Sequence, residues 1–247
     1  MLMFVKFELS YKPFKYTTMP TCEELERAKT FVILDFGPYV FQKIFGVEEI
    51  VGRLFDFVGM FNIGLSLLTK EGGMRAISSV KRNHGKIFYN GNFNDDSIEA
   101  IKQSVETVVA EGVQMFTVNM SSGSPVVRQA IESKGKSEVC VVPPFITSDI
   151  VFKAQHALNL GCDAILCSPE QLFEIGFIPE LARLKKIVYG VRPAFIQGEN
   201  HTKMTPNEAI RYGASGIIFC EDIMSPPKGM LPEEVAQCIL EEIADIF

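Results

Sequence analysis

Short apolar runs of strand length alternate with longer amphipathic stretches along most of the chain. The runs fall at residues 31–36, 57–62, 86–90, 115–118, 138–142, 164–166, 187–189 and 216–219. The stretches between them carry helical periodicity. Over 97–112, Ile98, Ile101, Val105, Val108 and Val109 recur at the three- and four-residue spacing of one helix face. Near the end, Leu231, Val235, Ile239 and Ile243 repeat every four residues. Strands that are apolar without strict alternation suit a parallel sheet covered on both faces. Eight such runs, joined by right-handed helical crossovers, close most naturally into a (β/α)8 barrel. A doubly wound open sheet is the alternative, but no Gly-x-Gly-x-x-Gly follows the first strand.

Residues 1–30 precede the first barrel strand and read as a short extension packed on a barrel of residues 31–247. Val5, Phe7, Leu9 and Tyr11 alternate with Lys6, Glu8, Ser10 and Lys12, the pattern of an extended edge segment. Residues 20–29 then read as a short capped helix. The first residues lack a basic region, a long apolar run and a small-residue cleavage site, so no secretory signal is expected.

The chain has 247 residues, close to the roughly 250 of a single barrel of this kind. A composition of 47% hydrophobic and 22% charged residues supplies a large core. No window holds the roughly 18 unbroken apolar residues of a membrane span. The net charge of −6 argues against nucleic acid, because phosphate binding needs a basic face. The six cysteines form no CxxC pair, and Cys140, Cys167 and Cys220 lie in or beside apolar strands. They read as small core residues in a reducing, cytoplasmic compartment. His84 reads as a surface residue and His156 as a structural one. His201 lies in a loop near Glu199 and Glu221 but without metal-motif spacing, so no metal is expected. Ser122-Gly-Ser reads as a helix cap.

Function in such barrels sits where strands end and the following loops begin. Read in order, those ends include Ile33-Leu-Asp-Phe, Asn62-Ile-Gly-Leu-Ser-Leu-Leu, the segment from Lys86 to Asp95, and Phe145-Ile-Thr-Ser. Then come Gly161-Cys-Asp-Ala-Ile-Leu-Cys-Ser, Tyr189-Gly-Val-Arg-Pro, Met204-Thr-Pro and Gly213-Ala-Ser-Gly-Ile-Ile-Phe. The series resembles the orotidine 5'-monophosphate decarboxylase family over about residues 31–245. That resemblance implies a cofactor-free lyase of pyrimidine (UMP) biosynthesis that works as a homodimer. It implies that Asp35 holds the ribose of a nucleotide and that Thr147 and Ser148 meet its pyrimidine. It also places Arg192 in a ligand-binding segment.

The chain departs from the family where the chemistry lies. The family carries Lys at the end of strand two and Asp-x-Lys-x-x-Asp at strand three. Those positions are Asn62, Asn90, Asn92 and Asp95 here, so only Asp95 keeps its ionisable group. An asparagine amide has no acidic proton to deliver and no full positive charge. The family tetrad sums to zero charge, and these four residues sum to −1. After strand eight the family's phosphate-binding Arg is replaced by Glu221, which repels a dianion. The family's helper Gln before Met-Thr-Pro is also missing, with Gln197 as the candidate substitute.

The expectation is a barrel that has lost most or all decarboxylase activity and serves as a binding or structural homologue. Its amides then either recognise a nucleotide or another small polar ligand, or form an idle hydrogen-bonded pocket. The alternatives are an active decarboxylase or another lyase of the phosphosugar-barrel group.

Overall fold

A computed structural model describes residues 19–37, 46–64, 67, 73–143, 149–197 and 203–247. Eight parallel strands close into a barrel in the order β1 to β8. They are β1 Val32–Asp35, β2 Met60–Gly64, β3 Ile87–Phe93, β4 Met115–Asn119, β5 Glu138–Val142, β6 Ala164–Cys167, β7 Lys185–Tyr189 and β8 Gly216–Phe219. Each strand pairs with its sequence neighbours, and β1 closes the ring by pairing with β8. The alternating helices include Val47–Leu54, Ile98–Ala110, Ile150–Leu160 and Pro232–Ala244.

Successive side chains of a strand point to opposite faces, which divides the apolar residues into two sets. Ile33, Phe88, Met115, Cys140, Ala164 and Ile187 form one cluster inside the barrel, with Met60, Leu166 and Ile218 packed on it. The larger set, including Leu34, Phe61, Ile63, Phe116, Val118 and Ile217, joins the strands' outer faces to the helices. Burial on both faces is why the strands read as unbroken apolar runs.

Three strands differ from expectation by two residues or more at one end or both. The second was expected over 57–62 but begins at Met60, because Phe57 lies in the turn after the helix Val47–Leu54. The third continues beyond Asn90 to Phe93. The seventh starts two residues early, at Lys185. Its Lys186 is buried, which becomes tolerable because Nζ donates to the carbonyl of Leu181 at 2.7 Å.

The alternating segment around Val5–Tyr11 lies outside the described residues. The expected helix is present at Cys22–Lys29, with Thr21 and Glu24 forming a reciprocal capping box. It packs against the helix Pro232–Ala244, and the Arg27 guanidinium stands 3.8 Å from the centre of the Phe247 ring. Leu231, counted in the last helix's repeat, instead precedes that helix and is exposed. Among the described residues, no helix is long and apolar enough to cross a membrane.

Candidate functional site

Strand alternation carries the inward face one step above the apolar interior to Asp35, Asn62, Asn90 and Thr117. These follow Ile33, Met60, Phe88 and Met115 by two residues on their strands. Asp35 and Asn62 are register partners on adjacent strands. The Asp35 carboxylate accepts the backbone N–H of Gly37 at 2.9 Å. Burial pushes its pKa up, while the Gly37 N–H and the Asn62 amide pull it down. Asn62 is fully buried, yet neither its Nδ2 nor its Oδ1 makes a hydrogen bond of normal geometry. The amide is therefore near enough to act on Asp35 but not aligned to bond it. An unsatisfied buried group of this kind costs about 1–3 kcal/mol.

The third strand is bulged. Tyr89 pairs with Phe116 and Phe93 with Val118, so Asn90, Gly91 and Asn92 stand opposite Thr117 alone. The Thr117 hydroxyl holds this bulge together. It donates to Asn90 Oδ1 at 3.0 Å and accepts the backbone N–H of Asn92 at 2.7 Å. Gly91 leaves room for the Tyr89 ring, since a Cβ there would lie 2.4 Å from it and force the ring to shift. Asn92 has a φ of 47°, a left-handed conformation that asparagine tolerates better than most residues. Replacing Thr117 with Val keeps the shape and removes both bonds. We expect a loss of about 1–3 kcal/mol in urea unfolding; an unchanged midpoint would show that the hydroxyl does not hold the bulge.

The remaining residues singled out from the sequence are dispersed. Asn92 and Asp95 are exposed at the rim. Asp95 accepts the backbone N–H of Ser97 at 2.7 Å, a turn that leads into the helix Ile98–Ala110. Thr147 and Ser148 lie outside the described residues, as does His201. Arg192 follows β7, with Nε 3.5 Å from the carboxylate of Asp222, which follows β8. Burial pushes the Asp222 carboxyl up, Arg192 opposes this, and Glu221 adds to it. Glu221 itself is exposed.

The Gln197 amide is committed to the backbone. Its Nε2 donates to the carbonyls of Arg192 and Lys203 at 2.7 and 3.1 Å, and its Oε1 accepts the Lys203 N–H at 2.9 Å. Both amide hydrogens are thus used, and Gln197 ties the two ends of its loop together. A cavity of about 420 Å³ opens beside it, lined by Ser168, Gln171, Tyr189 and Lys203 among others. It lies between the ends of β6 and β7, to one side of Asp35 and Asn62.

Cys140 and Cys167 are buried, as expected, and burial pushes the Cys167 thiol up to about 12. Cys220 is only half buried and stands among carboxylates; burial first, then Asp35, Glu221 and Asp222, raises its thiol to about 12. His156 is hydrogen-bonded to the hydroxyl of Ser124 at 3.0 Å. Among the described residues, no group of three or more His, Cys, Asp or Glu could hold a metal ion. Sequence reasoning passed over Thr117, Lys203 and Asp222. Only Thr117 had a readable signal, as the inward-facing polar residue two places after Met115.

Fold and mouth together define a (β/α)8 barrel with a polar site at the carboxyl ends of its strands. No protein-family model matches the chain. It is 26% identical over 246 residues to the orotidine 5'-phosphate decarboxylase of Rhodopseudomonas palustris strain HaA2, covering 92% of this chain and 99% of that protein. It is 29% identical over 214 residues to the enzyme of that name from Ruegeria pomeroyi, covering 77% and 85%. Among solved structures, orotidine 5'-phosphate decarboxylase from Pyrococcus horikoshii OT3 superposes with a TM-score of 0.67 at 18% identity, over 86% of this chain and 98% of that one. An uncharacterized conserved protein from Geobacillus kaustophilus gives 0.63 at 16%, over 85% and 99%. At such identities the structural likeness speaks for the fold. The chain is a divergent homologue of the orotidine 5'-phosphate decarboxylases.

Proposed function

We propose that this barrel has lost orotidine 5'-monophosphate decarboxylation and keeps its mouth as a binding site for a small polar ligand. The observation that carries this reading is Asn62. Where the resemblance places a lysine, a neutral amide stands fully buried beside Asp35 with neither polar atom bonded. Decarboxylation leaves a carbanion-like centre, and preorganised positive charge is what would stabilise it. Among the described residues no cation acts on Asp35. Asn90 is held by Thr117, and Asn92 offers only an amide. The test is titration with orotidine and uridine monophosphates, following both binding and product. Binding without product supports the reading, and turnover favours an active decarboxylase or a related lyase.

The assembly we propose is a homodimer across the segment 92–98, in which Asp95 reaches the neighbouring mouth. Asp95 and Asp96 are exposed there, and Ile98 is an exposed large apolar side chain. Light scattering at micromolar concentration should give twice the 27.5 kDa of one chain; a single-chain mass would sink this assembly. The helix Cys22–Lys29 fits an N-terminal extension packed on the barrel. The six free cysteines fit a reducing compartment, the cytoplasm.

A further inference from the structure

Three polar groups on the β1–β2–β8 side of the mouth stand without a charge-paired or hydrogen-bonded side-chain partner among the described residues, two of them withdrawn from solvent and one exposed. Asp35 is a half-buried carboxylate, and among the described residues no cation offsets the cost of its burial. Asn62, at the same level on the next strand, is fully buried with both its carbonyl oxygen and its Nδ2 unbonded. Glu221 makes no ion pair among the described residues. Cys220 joins them: its neighbour Phe219 pairs with Leu34 across β8 and β1, and its thiol feels Asp35, Glu221 and Asp222 together. The nearby cations are turned to other work or stand to one side. Arg192 faces Asp222, and Lys203 acts on Asp222 from the β7 side. This side of the mouth thus carries two carboxylates and one amide whose Oδ1 and Nδ2 are both unbonded, with no cation paired to either carboxylate among the described residues. Among the described residues no group of three or more His, Cys, Asp or Glu could hold a metal ion.

We infer that this mouth takes a small ligand carrying a cationic amine, whose N–H groups bond Asp35, Glu221 and the carbonyl of Asn62. The ammonium supplies the counter-charge to Asp35 and Glu221 and a donor for Asn62 Oδ1, while an acceptor atom elsewhere on the ligand takes the Asn62 Nδ2–H. A phosphate in the same place would face two carboxylates. This rests on the reading that the mouth still takes a small polar ligand, and it adds the sign of that ligand's charge.

Three probes that differ only at one end separate the possibilities by calorimetric titration at pH 7: 5'-amino-5'-deoxyuridine, uridine and uridine monophosphate. The amine should bind at least tenfold tighter than uridine, and the monophosphate more weakly than uridine. Glu221→Gln is an exposed, isosteric change that leaves folding intact; it should erase most of the preference, and so should a rise in salt. Tightest binding of the monophosphate, through Arg192 and Lys203, would overturn the inference. So would equal binding of all three, or no binding of any at millimolar concentration. Turnover of orotidine monophosphate is a separate result, which would instead overturn the loss of decarboxylation.

Discussion

Purified protein is expected to release no product from orotidine 5'-monophosphate above the uncatalysed background, and no single reversion should restore the reaction. Two requirements are missing at once. The reacting end needs positive charge and a proton donor, and Asn62 and Asn92 provide neither. The phosphate end needs a cation, and Glu221 is an anion. Loss of one preorganised electrostatic group typically costs about 10²- to 10³-fold in rate, so several losses together bring catalysis to background. Such effects are not additive, because each group works only when the others have placed the substrate. Asn92→Lys alone would put a cation at an exposed rim position whose φ of 47° suits lysine less well than asparagine. Glu221→Arg alone would hold a phosphate above inert amides. The combined change Asn62→Lys, Asn90→Asp, Asn92→Lys and Glu221→Arg is the one expected to give measurable activity. Single-turnover assays of the parent, the four singles and the quadruple variant decide the matter. Turnover by the parent at roughly one per second or faster would refute this reading of the site.

The second large effect concerns Glu242, far from the amides. It lies on the helix Pro232–Ala244, 5% exposed, with Oε2 accepting the Ala194 N–H at 3.0 Å and Oε1 without a partner. Burial is the main cause that pushes its carboxyl up to about 7; the Ala194 N–H opposes this, and Glu208 adds to it. In the unfolded chain the same group titrates near 4.3. The fold therefore favours the protonated form. The group's contribution to stability is fully present below about pH 4.3 and is lost as pH rises through 7. A difference of that size corresponds to about 4 kcal/mol between the two ends. Glu242→Gln keeps an acceptor for Ala194 and removes the charge. It should raise stability by about 1–3 kcal/mol at pH 8 and change it little at pH 5. Urea unfolding of both proteins at the two pH values tests this; an equal gain at both would point to packing rather than ionisation.

The barrel was readable because strands buried on both faces keep mostly apolar residues, with polar ones confined to a few positions such as Asn62, Thr117 and Lys186. The errors have local causes. Phe57 is apolar because it packs against the core from a turn, and Lys186 looked too polar for a strand because its bond to the Leu181 carbonyl is made only in three dimensions. Asp35, Asn62 and Asn90 were legible as one level of the mouth, since each follows an interior apolar residue by two. Asn92 was expected at the same mouth, but the bulge breaks the alternation that would have carried it inward, and it stands exposed at the rim. Gln197 was read as a ligand residue, but its amide is engaged with the backbone on either side of its loop. Glu242 had no signal at all, since its burial depends on the loop that brings Ala194 over the last helix.

The bulge separates holding from doing. Thr117 grips position 92 through the main chain, which every residue but proline supplies, and grips position 90 through a carbonyl oxygen that an aspartate would offer equally well. The side chain at 92 can therefore be exchanged without dismantling the strand that presents it. A barrel wired in this way can shed one reaction and be recruited for another task while its architecture stays in place.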